Sequence, residues 1–291
     1  MILKTTELSI AETQYFLQHI IAPRPVCLAS TVDAQGNVNL SPFSFFNLFS
    51  SNPPIVIFSP ARRVRDNTTK HTLENVKEVP EVVVNIVTYD MVHQVSLASC
   101  EYPKHIDEFK KAGFTSEPAL MVKPPMVKEA KAKLECRVVE IKSLGENGGA
   151  GQLVIAEVVC IHINDELLTA DKKFDQAKLE LVARLGGDWY ARISPENLFK
   201  VEKPNTKTGI GIDALPEQIK SSAILTGNHL AQLANVHEFP AIDPEFNDPR
   251  YDALNFYFQN GNKTERIHHY LKELIDEGKI SDAWQVLLKN N

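Results

Sequence analysis

Leu153-Val-Ile-Ala-Glu-Val-Val-Cys-Ile-His-Ile163 is the stretch whose pattern decides the fold. In an extended chain, successive side chains point to opposite faces. Leu153, Ile155, Val159, Ile161 and Ile163 then share one face, and Val154, Ala156, Val158 and Cys160 the other. With both faces largely apolar, the sheet that holds this strand must be covered outside by helices or by a second subunit. The strand before it carries Leu134, Cys136 and Val138 in alternation with Glu135 and Arg137. Its phase slips at Val138-Val139 before Ile141, which predicts a β-bulge there. Between the two lies Leu144–Gly151, rich in glycine but without Lys, Ser or Thr. It reads as a flexible hairpin connection rather than a phosphate loop.

Four shorter runs lie upstream: Pro25–Val32, Val38–Leu40, Ile55–Ser59 and Val82–Val87, with turn residues such as Asp33-Ala-Gln-Gly-Asn37 between the first two. Roughly six strands at irregular spacing argue for an antiparallel barrel or sandwich. A doubly wound parallel sheet would need regular alternation with helices. The capping box Ser9-Ile-Ala-Glu12 leads into a helix over Thr13–Ile20. Further helices are predicted over Thr69–Glu78, from a Thr88 cap through Ser99, and over Asp107–Ala112 with Gly113 as its stop. Past Pro204 strand signals become scarce. Asp248-Pro249 opens a helix that stops at Gly261, Thr264–Glu277 stops at Gly278, and Ser281 caps a last helix with Trp284, Val286, Leu287 and Leu288. Two parts are therefore expected, residues 1–204 and a mainly helical extension, 205–291.

The chain has 31 Lys+Arg against 37 Asp+Glu, a net charge of −6, so nucleic acid is not expected as its partner. No run of apolar residues is long enough for a membrane helix, and Met1–Glu12 has no signal-peptide pattern. Cys27, Cys100, Cys136 and Cys160 are far apart and form no Cys-x-x-Cys pair. They read as reduced, mostly buried thiols of a cytoplasmic protein, and the scattered histidines give no metal site. A P-loop, Gly-x-Ser-x-Gly and His-Glu-x-x-His are absent. Gly209-Ile-Gly-Ile-Asp-Ala214 matches the dinucleotide fingerprint, but no strand precedes it and Leu215-Pro216 follows, so it is read as chance.

Two segments carry chemistry. Asn39-Leu-Ser-Pro-Phe-Ser-Phe-Phe-Asn47 is polar and aromatic. It reads either as a strand with aromatic core residues or as a cradle for a flat heteroaromatic ring. Pro42 favours the cradle, because proline interrupts a ladder. The second, Arg62-Arg-Val-Arg-Asp-Asn-Thr-Thr-Lys-His-Thr72, holds four basic residues and one acidic before a helix start. It is either a solvated basic loop or a phosphate site. Joined, the two describe a ligand with a flat ring at one end and a phosphate at the other, as in FMN.

In order along roughly residues 20–200 come Pro23-Arg-Pro-Val26, Ser30-Thr-Val-Asp33 with Gly36-Asn37, Ser41-Pro-Phe-Ser-Phe-Phe46 and Pro53-Pro54. Lys70-His-Thr-Leu-Glu-Asn75, Val83-Val-Asn85, Asp107-Glu-Phe109 and Leu134-Glu-Cys136 follow, then Glu157-Val-Val-Cys-Ile-His162 and Ala183-Arg-Leu-Gly-Gly187 with Tyr190. In these motifs the chain resembles the flavin reductase-like, FMN-binding split-barrel family, which includes flavoredoxins and reductase components of two-component monooxygenases. The resemblance implies a mainly β protein: a six-stranded antiparallel Greek-key split barrel with peripheral helices. It also implies a homodimer with FMN in a groove near the subunit interface. By the same resemblance Ser41, Pro42, Phe43, Ser44, Phe45 and Asn47 line the flavin. Ser59, Lys70 and Thr72 hold its phosphate, with Arg62, Arg63 or Arg65 as helpers. His162, Arg184 and Tyr190 are the active-site candidates. Many relatives have Lys-Asp-Thr where this chain has Lys70-His-Thr72. The implied activity is transfer of hydride from NADH or NADPH to FMN and on to free flavin or an acceptor protein. Two alternatives are a flavoredoxin-like electron carrier with tightly bound FMN and no direct NAD(P)H activity, and a binding module docked through its helical extension. Nothing is implied for residues 205–291.

Overall fold

A seven-stranded antiparallel sheet organises the first part of the chain. The structure, a computed structural model, describes residues 1–201, 208–257 and 263–290. The strands are β1 (Cys27–Val32), β2 (Val38–Phe43), β3 (Phe46–Ser51), β4 (Pro54–Phe58), β5 (Glu81–Ile86), β6 (Ala132–Ser143) and β7 (Gln152–Ile163). They lie in the order β2-β1-β5-β6-β7-β4-β3. Six strands were expected, and β3 is the addition. Its Asn47, Leu48 and Phe49 are exposed, so it lacks the buried face that marks a strand in sequence. Pro42 does not interrupt its strand either: it sits inside β2, opposite Leu28. This is tolerated because β2 is an edge strand.

The two edges, β2 and β3, are joined by Ser44-Phe45 alone. The sheet curls until Phe43, at the end of one edge strand, brings its ring 5.1 Å from that of Phe58 on β4. Ser59 N–H donates to the Phe45 carbonyl at 2.9 Å and holds this seam. Inside the curl Cys27, Ala29, Val56, Phe58, Val82, Val84, Cys136, Val154 and Ala156 pack against Leu73 and Val76 of helix α2 (His71–Glu78). The opposite side chains of β1 and β2, Leu28 and Leu40, pack under Val95 and Ala98 of α3 (Val92–Ala98) and Phe109 and Ala112 of α4 (Glu108–Ala112). Asp107 caps α4, and Gly113 ends it at φ 72°. Thr88 caps nothing: a separate turn at Tyr89–Met91 precedes α3, and the Thr88 hydroxyl donates to Asp90.

The bulge expected at Val138-Val139 is present, since Ile155 and Ala156 of β7 face Glu140 and Val138 with Val139 left over. A second irregularity lies between Val158 and Cys160. It leaves Val159 without a partner on β6, yet the alternation read across Leu153–Ile163 is visible in the burial. Val154 and Ala156 are fully buried, whereas Ile161 is 61% exposed. The thiols also divide. Cys27 and Cys136 are buried, where burial pushes both pKa values up, that of Cys136 to about 12; Cys160 is half-buried and Cys100 exposed.

Helix α1 spans Ile10–Ile20, starting earlier than Thr13, behind a complete Ser9/Glu12 capping box. None of its residues is buried. Nearby, Arg24–Pro25, Val182–Arg184 and Tyr190–Arg192 form a small antiparallel ribbon.

The chain divides into two compact units, Met1–Phe199 and Lys200–Asn291. The expected boundary at Pro204 and the stop at Gly261 lie outside the described residues. In the second unit the described elements are helical: α5 (Glu217–Lys220), α6 (Gly227–Ala234), α7 (Pro249–Tyr257), α8 (Lys263–Asp276) and α9 (Ile280–Leu288). They enclose Leu233, Leu271, Leu274, Trp284 and Val286. Ser281 lies inside α9, with Lys279 at its cap. Residues 202–207, which lead into Gly209, lie outside the described residues. No helix among them is long and apolar enough to cross a membrane.

Candidate functional site

Ile10, Thr13, Gln14, Leu17 and Gln18 recur at helical spacing and share one face of α1. That face borders a cavity of about 370 Å³ whose other wall includes Phe45, Ala61, Arg62 and Val64. The volume suits a small-molecule site. No Asp or Glu is among its lining residues.

Arg24 holds the Phe45 end together. Its Nη1 donates to the Gln18 and Ile21 carbonyls, both at 2.6 Å, and its Nη2 to that of Leu185 at 2.9 Å. The guanidinium carbon lies 5.9 Å from the Phe45 ring centre. Its buried Nε has no partner. Burial, and then the charge of Arg184, lower the Arg24 pKa. Gly186 lets the end of α1 sit close, since a Cβ there would stand 2.1 Å from the His19 ring.

The basic loop adds Arg62 and Val64 to the lining. Arg62 donates from Nε and Nη2 to the Asn67 side chain and carbonyl at 2.6 and 2.7 Å. Arg63 and Arg65 both pair with Glu101, at 3.2 and 2.8 Å, and Arg65 also with Asp66 at 3.1 Å. Lys70 differs from all three. Its ammonium lies 5.7 Å from the Phe43 ring centre and has neither an ion pair nor a hydrogen-bond acceptor among the described residues, although the Glu101 charge acts on it from farther off. Burial, and then the Arg63 charge, lower its pKa. The hairpin Leu144–Gly151 does more than connect β6 to β7. Gly149 N–H donates to the Arg62 carbonyl at 3.0 Å, and Arg62 N–H donates to that of Ala150 at 2.9 Å. At Gly148 an added Cβ would meet the Arg63 and Val64 carbonyl oxygens at 3.0 Å, so the two loops touch through backbone.

Among the expected site residues, Ser41, Pro42 and Phe43 end β2, Ser44 and Phe45 form the seam, and Phe45 with Arg62 lines the cavity. Asn47 is exposed and accepts from the Leu48 N–H. The buried Ser59 hydroxyl accepts from Gln152 N–H at 3.0 Å. Two of the residues expected at the phosphate have other partners here. Thr72 is fully buried and donates to Asn39 Oδ1 at 2.7 Å, within a network that runs on to Glu108. Arg65 is exposed and already neutralised by Glu101 and Asp66. Arg184 stacks 4.6 Å from the Tyr190 ring centre, and its strand pairs with Arg24.

His162 is not brought to this cavity. Ser59 latches Gln152 at one end of β7, and His162 lies ten residues along the strand, about 30 Å away at the usual rise. Its Nε2 contacts Glu135 Oε1 at 2.6 Å and Cys160 Sγ at 3.5 Å. Burial pushes the Glu135 carboxyl up. The N–H of Leu120, the His162 ring and the N–H of Met121 outweigh this and hold it below the ordinary carboxylate range. An ionised Glu135 only accepts, so His162 Nε2 is the donor. Glu135, Cys160 and His162 place one possible metal ligand each within 4.8 Å of one another. The carboxylate, however, is already filled by Leu120, Met121, Val122 and His162 as donors. The α1 face, Arg24 and Gly148 escaped the sequence reading; their one signal was the mixed apolar and polar face from Ile10 to Gln18.

The family model for the flavin reductase like domain matches residues 20–178, over half of the chain. The chain belongs to the flavin reductase-like family. This flavin reductase-like protein is 28% identical to nitrilotriacetate monooxygenase component B from Bacillus cereus, with a TM-score of 0.64 over 69% of this chain and 98% of that one. It is 33% identical over 182 residues to an uncharacterised protein of Aquifex aeolicus, covering 62% of this chain and 90% of that protein. Flavoredoxin of Desulfovibrio vulgaris shares the fold at 19% identity and a TM-score of 0.52, over 63% of this chain and 92% of that one. The family match stops before the second helical unit.

Proposed function

We propose that this flavin reductase-like protein binds FMN in the Phe45 cavity, passes hydride to it from NADH or NADPH, and delivers the electrons to free flavin or an acceptor protein. One observation carries the reading. A cavity lined without acids carries an aromatic side chain, Phe45, and a cation, Arg62, and the loop that supplies Arg62 runs on to Lys70; neither cation has an ion-pair partner among the described residues. The donor set fits the group. Lys70 and Arg62 supply charge for a phosphate, and no side chain caps the first amides of α2. Phe45 offers an apolar face to a ring, and the unpartnered Arg24 Nε offers a donor beside it.

FMN, when bound, supplies the hydride and electron chemistry. The chain's own residues bind and orient. Arg24 fixes α1 against the seam, α1 shields the cavity from water, and the Leu144–Gly151 hairpin holds Arg62 in place. We place the working unit as a homodimer. The unburied helix α1 and the exposed Leu48 and Phe49 of β3 supply apolar surface for a second copy.

An anaerobic visible spectrum, recorded before and after NADH and then NADPH, tests the reading. A bound flavin bleached by either nucleotide supports the reductase. A bound flavin that ignores both turns the assignment to an electron carrier of the flavoredoxin kind. A protein that neither carries nor takes up FMN overturns the proposal.

A further inference from the structure

A second cavity, of about 470 Å³, opens beside His162 at the far end of β7. Lys128, Lys131 and Lys133 line it against one carboxylate, Glu117, in a chain whose net charge is −6. Its other walls include Leu120, Met126 and Ile163. Glu117 holds Lys133 at 3.0 Å, and Glu166 holds Lys131 at 3.4 Å. Lys128 has no ion pair among the described residues. Positive charge of this kind above an apolar wall attracts an anion and favours one with a hydrocarbon body.

The kind of anion follows from which donors are already taken. Three successive amides, those of Leu120, Met121 and Val122, would form an anion nest on this loop. All three donate to the buried Glu135, at 3.0, 2.5 and 3.1 Å. His162 Nε2 is engaged by the same carboxylate. No arginine fork lines the cavity. The free donors are therefore ammonium groups, point charges without the fork that grips a phosphoryl group bidentately. The apolar walls of Leu120, Met126 and Ile163 favour an anion whose body is hydrocarbon, of which a carboxylate is the simplest.

We propose that this cavity binds an organic carboxylate with an apolar body, at a site separate from the Phe45 cavity. The proposal does not depend on flavin binding. Titration calorimetry of the full chain with 2-naphthoate, against 2-naphthamide as a neutral look-alike and inorganic phosphate, tests it. The expected result is saturable naphthoate binding, at least about tenfold tighter than naphthamide and weakened by salt. Lys133→Met weakens it about tenfold and Lys128→Met severalfold. Lys128→Met breaks no ion pair, so it guards against a loss that merely reflects misfolding. Lys70→Met leaves naphthoate binding unchanged. Equal affinity for acid and amide, tighter binding of phosphate, displacement of naphthoate by FMN, or full affinity in both the Lys128 and Lys133 variants would each overturn the assignment.

Discussion

Replacing Lys70 with Met tests the phosphate end of the Phe45 cavity. The unbranched thioether keeps the stem packed over the Phe43 ring and removes only the ammonium. That ammonium forms no ion pair among the described residues and feels Glu101 only at a distance, so a phosphate would be its direct counter-charge. Two unit charges 4 Å apart attract by about 4 kcal/mol at an effective dielectric near 20. Hydrogen bonds to charged groups net about 1.5–3 kcal/mol after desolvation. A loss of about 2–3 kcal/mol follows, roughly 30- to 150-fold in FMN affinity. Riboflavin, which has no phosphate, should lose no more than about twofold. The free protein should melt no lower, and even higher, because a desolvated charge without a partner has been removed. Burial and Arg63 already lower the Lys70 pKa, and a phosphate favours the charged amine. Wild-type FMN affinity should therefore fall as pH rises through that pKa, and the Met variant should not share this dependence. Fluorescence titration of flavin-free protein with FMN and riboflavin, at low and high salt, reads each of these. Equal losses for the two flavins, or an unchanged FMN affinity, would refute the assignment of Lys70 to the phosphate.

Three further perturbations probe the supporting structure. Thr72→Val removes the buried bond to Asn39 and should lower stability by about 1–2 kcal/mol while leaving FMN affinity intact; a loss matching that of Lys70→Met would return the hydroxyl to the phosphate. Gly148→Ala forces a Cβ against two backbone oxygens, and overpacking of this kind costs about 1–3 kcal/mol. The hairpin should lift from Arg62, lowering the melting temperature and weakening FMN severalfold, and wild-type values for both would show that the contact is not needed. Glu135→Gln swaps an acceptor oxygen for an amide that cannot accept, at about 2–4 kcal/mol in urea unfolding. Because the folded Glu135 pKa is lowered, its stabilisation is full above the ordinary carboxylate pKa and fades as pH falls through the folded value. The gap between wild type and variant should thus be widest near neutrality and narrow below about pH 4. A gap that widens in acid would contradict the network.

The curled antiparallel sheet was legible wherever one face of a strand is buried. Val82–Val84 and Leu134–Cys136 announce themselves by β-branching and alternation, and the extra residue at Val139 by a broken phase. Where burial does not govern the choice of residue, the pattern fails. β3 is an exposed edge whose Leu48 and Phe49 look like neither a core strand nor a loop. β2 runs through Pro42 because its outer side has no ladder to lose. β7 leaves Val159 unpaired with β6, at a place where both neighbours are apolar and the sequence alone carries no sign of the irregularity. His162 stands in sequence among residues that resemble a flavin site, and within this chain it lines a different cavity, because a strand is long enough to carry neighbouring motifs apart.

The basic stretch from Arg62 to Lys70 shows why net charge by sequence window misstates a site. Four cations and one acid suggest a diffuse positive patch. In the fold, Glu101, distant in sequence, neutralises Arg63 and Arg65 and turns them into a clamp. Arg62 is bound only by the neutral oxygens of Asn67, and Lys70 by none. The charge left for a ligand is therefore that of Arg62, which lines the cavity together with Phe45, and that of Lys70 on the same loop. A ligand with both an apolar and an anionic part is complementary to such a lining. Reversing Glu101 to Lys should thus act on loop geometry rather than on ligand charge. Arg63 and Arg65 would lose their tether, and FMN affinity would fall even though the window had gained positive charge. An increase in affinity would mean that net charge, and not the clamp, governs binding.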